Sequence, residues 1–119
     1  MTKIVLTYED FFTIVEPDLL YLDNSRLRFI SLRGIEGAPT LAVEIISRYS
    51  KQIDRRRKTG LYAAHDVTWY WIVDPDAHTI DAYRLEGGTY HLDAKLEAAE
   101  TRALPPFPDL PLDPAAVWL

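Results

Sequence analysis

Cysteine is absent from the 119 residues, which excludes a disulfide framework and any thiolate metal centre. Long apolar runs are missing as well, and nothing approaches the roughly 18 residues that a membrane-spanning helix needs. Histidine is sparse: His65, His78 and His91 stand apart, without the spacing of a zinc site. Only five glycines occur, and none forms a glycine-rich phosphate loop. Ser47 has no adjacent histidine–acid pair, so nucleophilic hydrolase chemistry lacks its parts. The chain also lacks a positive surplus. Its net charge is −5, whereas nucleic-acid binders ordinarily draw on excess lysine and arginine at phosphates. The missing cysteines fit a reducing cytoplasm, and the opening MTKIVLTYEDFF, with one lysine and early acids, does not read as a secretory signal.

What remains is 48% hydrophobic and 26% charged, the balance of a soluble globular protein, and residues 1–119 suffice for one domain with its own core. The few basic residues are unevenly spread. Arg48, Lys51, Arg55, Arg56, Arg57 and Lys58 crowd into one short stretch, so a local basic face is compatible with an acidic whole.

Along the chain, residues 3–7 and 11–15 read as short strands around a Tyr8-Glu9-Asp10 turn. Pro17 precedes a further run, LLYL, that continues as strand to about residue 22. A proline there points to an edge position or a bulge. Residues 26–32 are ambiguous, with a short helical turn as one reading. Leu41 to Ser47 is the strongest strand, and its alternation sets Ala42, Glu44 and Ile46 on one face and Leu41, Val43 and Ile45 on the other. A helix is expected over about 51–65, with Ser50 as N-cap and Ile53, Leu61 and Ala64 as its apolar stripe. Asp54, Lys58 and Tyr62 are four apart and share a different helix face. Trp69–Val73 and Thr79–Leu85 form a hairpin around Asp74-Pro75-Asp76-Ala77, and Gly87-Gly88 turns into a third strand, Thr89–Leu92. The proline-rich tail from Leu104 carries enough Leu, Phe, Val and Trp to be packed though irregular. The order gives an α/β fold, a mixed and mostly antiparallel sheet with one main helix.

Two acids sit inside these apolar patterns, Asp18 in VEPDLLYL and Glu44 in LAVEIIS, with Lys58 on the helix that follows. A buried acid is costly unless it is paired or holds a cation. Hard carboxylate oxygens suit magnesium or manganese, with water and substrate oxygens completing the shell. Such a cation polarises a phosphodiester and lowers the pKa of an attacking water. Asp18 and Glu44 are therefore candidate metal ligands and catalytic residues. Lys58 is the candidate for orienting the water or stabilising charge on the phosphate. The basic helix, Arg55 included, is placed to hold a nucleic-acid backbone.

The blocks VEPDLLYLD, GAPTLAVEIIS, DRRRKTGLY and WYWIVDPDAHTIDAYRLEGGTY resemble the Uma-type restriction endonuclease family of the PD-(D/E)XK nuclease superfamily. The resemblance runs from about residue 4 to the C-terminus. It implies a restriction-endonuclease-like fold, DNA as substrate, magnesium as cofactor and action as a dimer. By resemblance Asp18 is the aspartate of the PD element and Glu44 the acid of the second element. The superfamily lysine two residues beyond that acid is Ile46 here, and the Uma-type pattern moves it to Lys58, with Asp54 and Tyr62 flanking. Thr40 stands where the family commonly has aspartate, Arg48 where it commonly has proline, and Gly60 sits inside the helix. Relative to the family, this chain is expected to lack an N-terminal part that supplies a further acid.

Each residue also has a plainer reading. Asp18 after Pro17 reads equally as a turn or edge residue, Glu44 as half of a buried ion pair, and Arg55 to Lys58 as a solvated helix face. Tyr62 reads as a core cap, and Trp69, Tyr70 and Trp71 as strand packing. Two functions follow. One is a magnesium- or manganese-dependent DNA endonuclease with Asp18, Glu44 and Lys58 catalytic and Arg55 and Tyr62 on the substrate side. The other is a catalytically inactive nuclease-fold protein serving as a binding or dimerisation module. Either way a homo-oligomer is expected, with no membrane partner.

Overall fold

The computed structural model describes residues 18–31, 34–35, 37–47, 52–97 and 99–118. Among these residues nine strands and two α-helices follow in order: β1 (Leu19–Tyr21), β2 (Ile30–Ser31), β3 (Gly34–Ile35), β4 (Leu41–Ile45), α1 (Gln52–Ala64), β5 (Trp69–Asp74), β6 (Thr79–Glu86), β7 (Thr89–Leu96), β8 (Arg102–Ala103), β9 (Pro111–Leu112) and α2 (Pro114–Val117). The strands expected over 3–7 and 11–15, and Ser50 as a cap, lie outside the described residues. The ambiguous stretch resolves into a 3-10 helix, Asn24–Phe29, leading into the β2–β3 pair.

The main sheet has the order β1-β4-β5-β6-β7. Its β4–β5 pair is parallel and the other three pairs are antiparallel, so the sheet is mixed and mostly antiparallel as the sequence implies. A parallel pair needs a crossover, and α1 provides it. Among the described residues β1 is an edge strand, in keeping with the proline that precedes it.

Both faces of the sheet centre are covered, which explains why LAVEI reads as nearly continuous apolar sequence. On one face α1 packs over Leu20, Leu22, Ala42, Val67 and Tyr70 through Tyr62. On the other, Tyr21, Leu41, Val43, Trp71, Ile80, Ala82 and Leu96 meet Leu104 and Phe107 from the tail. The alternation assigned to β4 holds: Ala42 faces the first cluster, Leu41 and Val43 the second.

Of the expected stripe on α1, Leu61 packs against the core and Ala64 does not. Ala64 is exposed and Tyr62 is fully buried. Helix rotation therefore brings the Lys58–Tyr62 side to the sheet, where the polar tips of both side chains meet Glu44. Exposed Gly60 has open space around its Cα, so no close approach requires a glycine there.

The hairpin turns follow their residues. Asp74 Oδ1 accepts hydrogen bonds from the backbone N–H of Asp76 (3.1 Å) and of Ala77 (3.0 Å), an Asx turn. Gly87 and Gly88 take φ of 58° and 79°, left-handed values that suit a two-residue hairpin turn. β7 runs four residues past the expected Leu92 because Ala94 and Leu96 continue to pair with β6 beyond a bulge at Ala82/Tyr83. In the tail, Trp71 Nε1 donates to the Pro105 carbonyl (2.8 Å), and Asp113 caps α2 by accepting from the Ala115 N–H.

Candidate active site

Glu44 is the penultimate residue of β4, on the α1 face. The antiparallel register Leu19↔Val43, extended by one step, sets Asp18 opposite Glu44. Directly opposed residues on antiparallel strands share a face. Asp18 is fixed there because its Oδ2 accepts the Ile45 backbone N–H at 2.7 Å. One strand over, Ile72 is the register partner of Glu44 in the parallel pair.

The crossover helix then returns above this strand end. Lys58 and Tyr62, one turn apart, reach the two oxygens of a single carboxylate. Lys58 Nζ lies 3.4 Å from Glu44 Oε2, and the Tyr62 hydroxyl donates to Glu44 Oε1. Glu44 is 6% exposed and Tyr62 is fully buried, whereas the Lys58 side chain keeps 27% of its surface. The lysine thus joins the buried acid to solvent.

Burial raises the pKa of Glu44 above the ordinary glutamate value, and the charge of Asp18 adds to the rise. The hydrogen bond from Tyr62 and the charge of Lys58 oppose it without cancelling it. Tyr62 is itself pushed far upward, first by burial and then by Glu44, so it stays a neutral donor. A carboxylate that remains under-compensated by its own protein neighbours is suited to a further cation.

This electrostatic state has a stability consequence. A carboxyl with a higher pKa folded than unfolded binds its proton more tightly in the native state. Stability therefore falls as pH rises between the two values, and the penalty stands in full above the folded value. Glu44→Gln keeps an acceptor for Tyr62 and removes the charge. It is expected to raise Tm at neutral pH by a few degrees, on the order of 1 kcal/mol, at the expense of function. The gain should fade as pH falls below the ordinary glutamate value, where Glu44 is protonated in both states. Thermal melts across that range decide it, and a gain independent of pH would rule out the charge as its cause.

The expected site residues are thus brought together for Asp18, Glu44 and Lys58, with Tyr62 beside them. Tyr62 has no surface open to a substrate, so its hydroxyl serves Glu44. Arg55 lies one turn before Lys58, half-buried, and its charge reaches Tyr70 and Tyr83. Arg56 and Arg57 are exposed. Among the described residues no three of His, Cys, Asp and Glu converge as metal ligands. Thr40, where the resembling family has aspartate, is buried and accepts the Asp23 backbone N–H through its hydroxyl at 3.0 Å.

Sequence reasoning passed over a group of tyrosines beside this site. Tyr70 is ringed by Tyr62, Tyr83 and Tyr90, at centroid distances of 5.4, 6.1 and 5.3 Å. The hairpin pairs Asp74 with Thr79, and in that register Tyr70 lies against Tyr83.

Compared with curated proteins, the chain has no match. A solved structure from Anabaena variabilis ATCC 29413, described as a putative nuclease belonging to DUF820, has a similar fold: TM-score 0.64 at 21% identity, over 87% of this chain and 59% of that one. This chain therefore spans under two thirds of that protein's length. The model of the Uma2 family, described as "Putative restriction endonuclease", matches residues 7–115. With nearly the whole sequence inside that match and a nuclease-like fold beneath it, the chain belongs to the Uma2 restriction endonuclease family.

Proposed function

We propose that this protein is a divalent-metal-dependent endonuclease that hydrolyses phosphodiester bonds of DNA. The observation that carries the reading is the meeting of Lys58 with a buried Glu44 at a strand end that also holds Asp18. The donor set fits the cation. Two carboxylates with hard oxygens suit magnesium or manganese, which keep several waters and take remaining ligands from a phosphate. They do not suit zinc, which favours three or four protein ligands of nitrogen or sulfur.

In this reading Asp18 and Glu44 hold the metal, which when bound polarises the phosphate and acidifies a water. Asp18 keeps one oxygen outward while the other is anchored to the Ile45 N–H. Tyr62 fixes the Glu44 carboxylate from the buried side and acts as a positioning residue. Lys58, partly exposed, faces the incoming phosphate and stabilises the charge that develops on it. Arg55 supports the nucleic-acid backbone alongside. The net negative charge makes this local cluster of cations the surface on which DNA binds. The absence of cysteine supports a cytoplasmic location. The exposed Leu92 on edge strand β7 supports assembly with a second copy. No helix among the described residues is long and apolar enough to cross a membrane.

The test is nicking of supercoiled plasmid with magnesium or manganese. Asp18→Asn preserves the shape of the side chain and its bond to the Ile45 N–H while removing the charge. Nicking by the natural chain that disappears in EDTA, and falls at least about 10-fold in Asp18→Asn, is the expected result. A natural chain that leaves the plasmid intact with either metal would instead mark a nuclease fold used for binding or dimerisation.

A further inference from the structure

Next to the Glu44 site, Thr59, Tyr70, Ile72, Tyr83 and Tyr90 enclose a pocket of about 200 Å³. It lies beside the site. Thr59 adjoins Lys58 on α1, and Ile72 is the strand partner of Glu44. We propose that this pocket receives one unpaired nucleobase of the DNA and so sets which phosphodiester lies against Glu44 and Lys58. The proposal rests on the nuclease reading and specifies how its substrate is held.

The chemistry of the lining selects the ligand. Among the described residues no charged side chain lines the pocket, so they offer little to a phosphate. Three phenol rings and an isoleucine offer apolar and π surface to a neutral planar group. The rings are tilted against one another, by 33° for Tyr70–Tyr83 and 53° for Tyr70–Tyr90, so they do not consume each other's faces by stacking.

Polar handles are few and fixed. Thr59 Oγ1 donates to the Arg55 carbonyl at 2.8 Å and is hydrogen-bonded to the Tyr70 hydroxyl at 3.1 Å. Burial raises Tyr70 to about 12, so its phenol is neutral at physiological pH. Size points the same way. A cavity of about 150 Å³ accepts benzene, so this one has room for a single heterocycle. Arg55 stands one turn from Thr59, where a positive charge meets the phosphate attached to a base so held. A duplex hides its bases in the stack, so the occupant is a base already unpaired or one drawn out of the helix.

The experiment compares two labelled duplexes by fluorescence anisotropy, in the cold, with EDTA and again with magnesium. One carries a single unpaired base and the other an abasic residue at that place. The natural chain is expected to bind the base-bearing duplex about 10-fold more tightly, in the range of base–aromatic stacking. Tyr83→Ala, which removes one wall, and Ile72→Trp, which fills the space, should each bring the two affinities together. Equal affinity of the natural chain for both duplexes overturns the pocket assignment and leaves the nuclease reading to its own nicking test. A base preference that survives in both variants also overturns it. So does a Tyr83→Ala protein that changes oligomeric state while the natural chain shows no base preference, since the pocket then holds a protein segment. Failure to bind either duplex overturns it too, and if plasmid nicking is also absent, the nuclease reading falls with it.

Discussion

Lys58→Ala is expected to lower metal-dependent nicking by about 100- to 1000-fold, the usual cost of removing one preorganised donor from a developing oxyanion. The size follows from where the ammonium stands. It is held at 3.4 Å from Glu44 Oε2 yet keeps a quarter of its side-chain surface, so it is fixed and still able to meet a ligand. A lysine that merely neutralised Glu44 would show a different pattern. Its loss would leave a buried carboxylate with less compensation and would appear chiefly as a lower Tm. Lys58→Arg separates the two roles. Arginine retains the positive charge and the ion pair but its broad planar head cannot occupy the same point. Under the catalytic reading Lys58→Arg remains crippled in nicking while regaining most of the Tm lost in Lys58→Ala. Nicking by Lys58→Ala within about threefold of the natural chain, with both proteins folded, would remove the lysine from the chemistry.

Phe107→Ala is expected to destabilise the fold by about 3–5 kcal/mol, the common range for an aromatic removed from a core. At this chain length that corresponds to a fall in Tm of roughly 10–25 °C. Phe107 is 9% exposed and meets Tyr21 and Trp71 edge-on, at centroid distances of 4.8 and 5.7 Å. Those two residues belong to β1 and β5, which carry Asp18 and Ile72 at or near the opposite face. The tail therefore braces the back of the strands whose front edge forms the site. Leu110→Ala, three residues further and 37% exposed, serves as the control and should change stability by less than about 0.5 kcal/mol. Similar melting of both variants would show that the tail packs only loosely against the sheet.

Much of this was legible because it is local. Glu44 stands out as an acid inside an alternating apolar strand, and the four-residue step from Lys58 to Tyr62 declares a shared helix face. Asp74 and the paired glycines announce their turns without any knowledge of the fold. The hydrophobic residues of the tail likewise foretold its packing, although not the β8–β9 ladder. What escaped depends on partners far along the chain. Ala64 fits an apolar stripe by spacing, yet the helix turns its Lys58–Tyr62 side inward because Glu44 lies beneath it. Tyr62 therefore belongs to the core as well as to the site, a dual role that helix periodicity alone does not express. The pocket of Tyr70, Tyr83 and Tyr90 arises only when two hairpins are laid side by side, and none of those tyrosines is unusual on its own strand. The extent of β7 was hidden by the bulge at Ala82/Tyr83, which lets pairing resume with Ala94 and Leu96.

The crossover between β4 and β5 also keeps most of the site's contacts close in sequence. Glu44 is 14 residues from Lys58 and 18 from Tyr62, so short loops close these contacts with little entropic penalty. Asp18 joins from 27 residues away, on a three-residue edge strand. Closing the Asp18 contact therefore costs slightly more loop entropy than closing the other two, by less than about 1 kcal/mol. Among the described residues β1 pairs with β4 alone, so its local opening would withdraw Asp18, at the expense of exposing Leu20 and Tyr21. Occupancy of the proposed metal position is thereby linked to the docking of a single short edge strand, and a bound cation would protect the Ile45 amide from hydrogen exchange.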